Sequence, residues 1–302
     1  MSVSSSVFIT GGGGFIAPHL IRALGVETNI FVHLRQESER QPQDMPKGCT
    51  LVREALSDEA LHHRLPSKVD IVFHLAGAVS ARDSMDLMSA NVTTTENVLA
   101  LMAKAKIPHL VFLSTAAVWS GTTGSRIDEK VSPAPNTPYG FAKLAAEALV
   151  INAVARGWIS SATILRCNNT YGPGSRQGVV ANFYQRLRRG QSVLIEGDGM
   201  QLREPLFVAD LVDLLLRVKE SPRGLEVYGV SGPESMTVGQ IAQTVAEVTG
   251  SELRIDWGGE RNDRSRHLLI STEKVQSELD WHPCVSLHKG LREMLAAEVP
   301  SD

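Results

Sequence analysis

The sequence predicts an α/β protein, a doubly wound parallel sheet followed by a smaller mixed α/β lobe, and three observations carry that expectation. From the start to about Arg166, short β-branched or apolar runs alternate with longer stretches of helical apolar spacing. A glycine run, Gly11, Gly12, Gly13 and Gly14, sits between the first apolar run and the first helical stretch. Beyond Arg166 the texture changes to the glycine- and arginine-rich loops "YGPGSRQG" and "EGDGMQLREP", separated by shorter helices. The expected division is residues 1–166 for the first domain and 167–302 for a second lobe, partly interleaved with the first and sharing a cleft with it.

Taken in order, residues 7–10, 29–34 and 49–52 read as the first three strands, each a short apolar or β-branched run. Residues 15–24 read as the helix between the first two. Residues 69–76, 109–115 and 160–166 complete a set of six strands. Residues 87–105 and 139–156 carry apolar stripes at helical spacing, and Gly157 stops the second helix. In the second lobe, 209–219 and 237–249 read as helices, and no fixed-period repeat or low-complexity tract interrupts the chain.

The composition is that of a globular chain: 302 residues, 43% hydrophobic and 21% charged, with a formal net charge of -3. Without a basic surplus, neither nucleic acid nor an anionic membrane is an expected partner. Cys49, Cys167 and Cys284 are odd in number with no close pair, so neither a disulfide framework nor a metal site is expected and a reducing, cytoplasmic setting fits. The apolar stretch at Val7 runs straight into glycines, unlike a signal peptide, and no run approaches the length of a membrane span.

Read as G-x-x-G-x-x-A on Gly11, Gly14 and Ala17, the glycine run permits a tight turn and lets a pyrophosphate approach backbone N–H groups at a helix N-terminus. That placement, after the first strand, points to a dinucleotide rather than a merely flexible turn. Arg35 lies 21 residues beyond Gly14, close to the ~20 expected for the residue that reads the adenosine ribose. An arginine there accommodates a 2′-phosphate, so NADP(H) is the favoured cofactor, with NAD(H) the alternative.

Tyr139 and Lys143 stand four residues apart at the start of a predicted helix, so they share one face. A free tyrosine has a pKa of about 10, and a neighbouring ammonium favours the phenolate, which makes Tyr139 a general acid/base. The fifth strand ends in "LSTAAVW", which brings Ser114 or Thr115 to the carboxyl edge of the sheet, where open α/β folds bind ligands.

With these residues in view the chain resembles an extended short-chain dehydrogenase/reductase of the NAD-dependent epimerase/dehydratase family, whose members modify nucleotide sugars on a Rossmann-type doubly wound sheet. The matching stretches are "TGGGGFIA", "HLAGAV", "NVTTTENVL", "LSTAAVW", "PYGFAK", "NNTYGPG", "EGDGMQLREPLFVADL" and "WHPCVSLHKGL". The resemblance implies proton chemistry by Thr115, Tyr139 and Lys143, with Lys143 also holding the nicotinamide ribose. It implies Gly11, Gly14, Phe15 and Ile16 at the pyrophosphate and Leu56, Leu75, Ala76, Gly77 and Asn91 along the cofactor. On the substrate side it implies Asn169, Arg203 and Arg261 at the diphosphate of a nucleotide sugar, with Trp119 in the wall of the sugar or base pocket.

The departures from the family pattern carry information too. Arg35 replaces a frequent acidic residue, Ala55 stands where an aspartate often contacts adenine, and Ala17 replaces the third glycine. "STAAVW" lacks the Asp-Glu pair that sugar 4,6-dehydratases place after the hydroxyl residue, so water elimination is not expected. Trp119 and Ser120 replace the usual Tyr-Gly, Pro205 replaces an aromatic after Arg203, and the segment between Arg82 and Asn91 is short.

The implied reaction is hydride transfer between the nicotinamide and a sugar carbon, C4 in most members, with Tyr139 moving the hydroxyl proton and Thr115 bonding the same oxygen. NADPH-dependent reduction of a nucleotide-linked 4-keto-(6-deoxy)sugar leads, because of Arg35; 4-epimerisation with tightly bound NAD is the alternative. A non-catalytic nucleotide sensor on the same fold is a third reading, opposed by the intact Thr115, Tyr139 and Lys143. Apolar stripes on helices 87–105 and 139–156, paired across a two-fold axis in related proteins, make a homodimer the expected assembly.

Overall fold

A computed structural model describes residues 5–35, 45–46, 48–81, 83–122, 126–259 and 267–298. The chain runs β1 (Ser6–Thr10), α1 (Ala17–Leu24), β2 (Asn29–His33), β3 (Cys49–Val52), α2 (Glu59–Arg64) and β4 (Ile71–His74). It continues through α3 (Ser84–Met88), a π-helical turn (Ser89–Thr93), α4 (Thr94–Ala105), β5 (His109–Thr115), a 3₁₀ turn (Ala116–Trp119), α5 (Pro138–Ala155) and β6 (Ser161–Cys167). Then follow β7 (Thr170–Tyr171), α6 (Val179–Arg188), β8 (Val193–Glu196), β9 (Leu202–Arg203), β10 (Leu206–Phe207), α7 (Val208–Glu220) and β11 (Leu225–Val230). The last elements are β12 (Met236–Thr237), α8 (Val238–Thr249), β13 (Ile255–Gly258), α9 (Glu273–Leu279) and α10 (Leu287–Ala296).

Seven strands form one sheet in the order β11-β6-β5-β4-β1-β2-β3. The registers are parallel, with Phe8 opposite Phe31 on one side and Val72 on the other, and Val72 opposite Leu110. Successive strands step outward from β1 to β3, then return across β1 to β4 and step the other way. The crevice outside β1 and β4 is therefore the topological switch point, where doubly wound folds bind ligands.

The chain divides into two compact units, Met1–Val118 with Pro135–Arg166 and Leu214–Tyr228, and Trp119–Ala134 with Cys167–Asp213 and Gly229–Asp302. In the first, one sheet face presents Phe8, Val72, Leu110, Phe112, Ala162 and Ile164 to Val98, Leu101 and Met102 of α4 and to Ala146, Val150 and Ala153 of α5. Burying each large apolar side chain of this kind contributes about 1.5–3 kcal/mol before entropy is counted. These contacts fix α4 and α5 against one face of β1, β4, β5 and β6.

The second unit is built from short ribbons, β7 with β10, β9 with β12 and β8 with β13, and from helices α6, α8 and α10. Its loops are fastened by buried carboxylates. Asp210 accepts the backbone N–H of Cys284 at 3.2 Å and of Val285 at 3.0 Å, while its carbonyl accepts the indole N–H of Trp281 at 2.9 Å.

Several elements differ from the sequence expectation. The glycine loop runs on to Ile16, so α1 begins at Ala17. The fourth strand is only Ile71–His74, which leaves Leu75 and Ala76 as loop. The helix expected over 87–105 is instead α3, the π-helical turn and α4. Helices α2, α6, α9 and α10 and the two-residue strands of the second unit had no strong sequence signal.

Candidate active site

The glycine loop owes its path to close packing at two points. Gly11 has φ +77°, and a Cβ there would stand 2.7 Å from Ala76 N, so only glycine brings this loop onto the end of β4. The next residue, Gly12, donates its N–H to His33 O at 3.0 Å, and a Cβ on it would lie 2.3 Å from Val32 Cγ1. Gly14 N–H turns back to Gly11 O at 2.9 Å. Helix α1 then starts with no side-chain cap and no acidic residue in its first turn. Its N–H groups and positive dipole end suit an anionic ligand.

Around that loop lie the other cofactor positions. Phe15 and Ile16 are half-buried in the loop, and Leu56 packs against the core cluster from the loop after β3. Arg35 is exposed just past β2, and its carbonyl lies 3.5 Å from the Arg53 guanidinium. On the other side of the switch point, Gly77 faces Asn91, whose Oδ1 would be 2.6 Å from a Cβ at Gly77. Asn91, 2% exposed on the π-helical turn, donates through Nδ2 to Ala78 O at 3.0 Å and Leu87 O at 2.8 Å. Its buried Oδ1 has no hydrogen-bond partner among the described residues. A π turn widens the helix locally and recurs at functional sites, and here it turns that acceptor toward Gly77.

Helix α5 carries Tyr139 and Lys143 into the same edge. Thr137 caps it by accepting Gly140 N–H at 3.1 Å, and Pro138 occupies the first turn, where its missing donor costs nothing. A Cβ on Gly140 would stand 2.5 Å from Ala117 O, so this glycine lets the first turn of α5 lie directly on the exit from β5. Thr115, half-buried at that exit, accepts Ala117 N–H at 3.1 Å through Oγ1. Tyr139 is half-buried, whereas Lys143 is 4% exposed with Nζ 4.1 Å from the centroid of Phe112. The ammonium also lies 3.9 Å from where a Cβ on Gly77 would be, which joins the α5 residues to the end of β4.

The two hydroxyls at the end of β5 have different surroundings. Ser114 is buried and donates to Glu147 Oε1. Glu147, 0% exposed, also forms an ion pair with Arg166, whose Nη2 lies 2.7 Å from Oε2. Ser114 is thus committed to a buried network behind the sheet edge. The hydroxyl that remains at the crevice is Thr115.

In the second unit, Asn169 is exposed and its carbonyl accepts Leu206 N–H at 3.0 Å. Arg203 is half-buried on β9, with Nη1 donating to Leu202 O at 2.7 Å. Its neighbour Glu204, 2% exposed, accepts from Arg126 Nη2 at 2.9 Å, Ser235 Oγ at 2.8 Å and Ile270 N at 2.9 Å, which anchors the strand on both sides. Arg261 lies outside the described residues. Trp119 corrects an expectation: it is 0% exposed and its indole N–H donates to Val131 O at 2.9 Å, so it is a core side chain without a ligand-facing surface.

Sequence reasoning passed over Gly12, Gly140, His74 and the Glu147–Arg166 pair. The glycine-run position would have found Gly12; the others have no spacing signature. Among the described residues, no group of three or more His, Cys, Asp or Glu side chains can hold a metal ion, and no helix is long and apolar enough to cross a membrane.

Comparison with known proteins places this geometry among relatives. The family model described as "NAD dependent epimerase/dehydratase family" matches residues 7–231. The dTDP-D-glucose 4,6-dehydratase of Mus musculus is 26% identical, over 96% of this chain and 88% of its own length. The crystal structure of UDP-glucose 4-epimerase from Thermotoga maritima, with UDP-glucose, superposes with a TM-score of 0.87 at 27% identity, covering 97% of this chain and 98% of that one. MoeE5 in complex with UDP-glucuronic acid and NAD gives a TM-score of 0.86 at 28% identity, with the same coverage.

Proposed function

Because the chain belongs to the NAD-dependent epimerase/dehydratase family, we propose that it is a nucleotide-sugar enzyme acting at sugar C4, with Tyr139 as general acid/base. The observation that carries this reading is the convergence at the switch point. Lys143 is buried beside Gly77 and Asn91, and the α5 turn bearing Tyr139 rests on the exit from β5, where Thr115 has its hydroxyl.

The uncapped α1 N-terminus, the positive-φ Gly11 and the unpaired Asn91 Oδ1 fit a nicotinamide dinucleotide along Gly11, Gly14, Phe15, Ile16, Leu56, Leu75, Ala76, Gly77 and Asn91. When bound, that group supplies hydride exchange with the sugar carbon. Lys143 holds positive charge beside the tyrosine and favours its phenolate form. Tyr139 then takes or returns the sugar hydroxyl proton, and Thr115 hydrogen-bonds the same oxygen, so rate comes from orientation and fixed dipoles. Asn169 and Arg203, with Arg261, hold the diphosphate; a planar guanidinium suits that role.

Arg35, exposed at the edge that reads the ribose, supports NADP(H) and with it reduction of a nucleotide-linked 4-keto sugar. The likeness to UDP-glucose 4-epimerase of Thermotoga maritima favours a second reading, 4-epimerisation with retained NAD. Water elimination is disfavoured because Ala116 and Ala117, which follow Thr115, have no ionisable group. The outward face of α5 exposes Phe141 (55%) and Ile151 (39%), which supports a homodimer through this helix.

Denaturing the purified protein and identifying any released nucleotide separates the two reactions. Retained NAD is expected of the epimerase, whereas empty protein that consumes NADPH with a 4-keto sugar nucleotide is expected of the reductase. Tyr139→Phe should lower turnover by about 10²–10⁴ while dinucleotide binding persists; unchanged turnover would remove the acid/base assignment.

A further inference from the structure

Behind the loops at the switch point runs a hydrogen-bond chain that the roles above leave unused. Ala76 N–H donates to Thr10 Oγ1 at 3.3 Å, and Thr10 Oγ1 lies 2.7 Å from His74 Nδ1. On the other side of the ring, His74 Nε2 lies 3.0 Å from Thr95 Oγ1, which donates to Asn91 O at 2.7 Å. The side chains are sealed from water, with Thr10 and His74 0% exposed and Thr95 1%.

Counting protons fixes the direction at the Thr95 end of the chain. The single hydroxyl proton of Thr95 goes to Asn91 O, so Nε2 must carry the hydrogen that Thr95 accepts. Burial and the Lys143 charge hold the pKa of the ring down to about 3, so at neutral pH the imidazole carries its one hydrogen on Nε2. The bare Nδ1 then accepts the hydroxyl proton of Thr10, whose Oγ1 accepts from Ala76 N–H. A protonated ring would strand the Thr10 hydroxyl proton without an acceptor in a dry site, which is costly.

Both ends of this chain finish on backbone groups at the mouth of the crevice. One is the N–H of Ala76, on the β4 exit against which Gly11 packs; the other is the carbonyl of Asn91, in the π-helical turn. The Thr95 hydroxyl reaches back one turn to that carbonyl, an arrangement that bends helices and here supports the widened turn. With Nδ2 fixed by Ala78 O and Leu87 O, the unpaired Oδ1 of Asn91 is held toward Gly77.

We propose that His74 and Thr95 are positioning residues for the dinucleotide site, a neutral relay that locks the β4 exit to the π-helical turn and so sets Ala76, Gly77 and Asn91 relative to one another. This inference rests on the reading that the crevice takes a nicotinamide dinucleotide. It assigns the relay no proton transfer; the relay acts through backbone placement alone.

The test compares Thr95→Val, which keeps the shape and deletes both hydrogen bonds, with Thr95→Ser, which restores the hydroxyl. Affinity for NAD and NADP is read by fluorescence titration, alongside kcat, KM and thermal midpoint. Thr95→Val should weaken dinucleotide binding about tenfold, equivalent to losing one net hydrogen bond, and raise the dinucleotide KM more than it lowers kcat. Thr95→Ser should return binding to within about threefold of wild type. A Thr95→Val protein of lower thermal midpoint but wild-type affinity overturns the relay as a positioning device. Should Thr95→Val fail to fold, ¹⁵N NMR of the wild-type imidazole at neutral pH decides: a bare Nδ1 and protonated Nε2 is expected, and the opposite tautomer or a doubly protonated ring overturns it. Wild-type protein that binds neither dinucleotide overturns the reading of the crevice and the relay with it, whereas equal binding by wild type and Thr95→Val overturns the relay alone.

Discussion

The Lys143 ammonium lies 4.1 Å from the centroid of the Phe112 ring, on a side chain only 4% exposed. A cation at that depth loses most of its hydration, and the negative face of an aromatic ring recovers part of the loss. Phe112 is itself fixed by its strand and by the ring of His74, 5.5 Å away. Phe112→Leu keeps apolar bulk and removes the quadrupole. A fall in kcat/KM of about 5- to 30-fold is expected, corresponding to about 1–2 kcal/mol. Steady-state kinetics beside a thermal melt checks it; wild-type kcat/KM would mean that the ring only fills space.

Ser114 and Thr115 are neighbours with opposite expected phenotypes. Ser114 serves the buried Glu147–Arg166 pair, so Ser114→Ala should cost about 1–3 kcal/mol of stability. Glu147→Gln leaves the Arg166 charge unneutralised in the interior and should cost more, about 3–5 kcal/mol. Thr115→Val should change stability by about 1 kcal/mol or less and reduce turnover by about 10²-fold or more. Urea unfolding and turnover on the same set of variants test this crossing pattern. Loss of turnover in Ser114→Ala at wild-type stability would reverse the assignment.

What could be read from sequence depended on how each element is stabilised. Buried parallel strands are continuous apolar runs, and 49–52 and 109–115 have the same bounds in the structure as in the sequence reading. The helix expected over 87–105 conceals a π turn because its buried positions Leu87, Asn91 and Thr95 fall at successive fours, and two of them are polar. Apolar periodicity cannot register a face built from Asn and Thr that satisfies its hydrogen bonds internally. Two-residue strands such as Leu202–Arg203 are set by partners distant in sequence, here Met236 and Thr237, and leave no local pattern. The arrangement of Lys143 beside Gly77 and Asn91 was expected only through the family resemblance, since no spacing rule links positions so far apart.

Mild acid should destabilise the fold well before carboxylates titrate. Burial lowers the pKa of His74 to about 3, and burial also lowers that of His33, against a reference of 6.5 for both. Below pH 6.5 the unfolded chain binds protons that the folded chain refuses, so stability falls as pH falls, by at most about 1.4 kcal/mol per pH unit for each histidine. The loss from His74 continues until pH approaches its folded value. Urea unfolding at pH 7, 6 and 5 should show this slope, and His74→Gln should reduce it to the part that His33 and His109 supply. A pH-independent midpoint over that range in the wild type would contradict a neutral buried His74.

Trp119 provides the sharpest contrast between a residue read by type and one read by environment. The family resemblance implies that it lines the sugar or base pocket. The structure instead buries it completely, with its indole N–H donating to Val131 O. Trp119→Phe removes that bond and part of the ring volume, leaving a half-buried carbonyl without its donor beside a small cavity. A stability loss of about 1–3 kcal/mol is expected, with the KM for the nucleotide sugar unchanged, because no face of the ring reaches solvent. A higher KM at an unaltered thermal midpoint would return Trp119 to the substrate pocket.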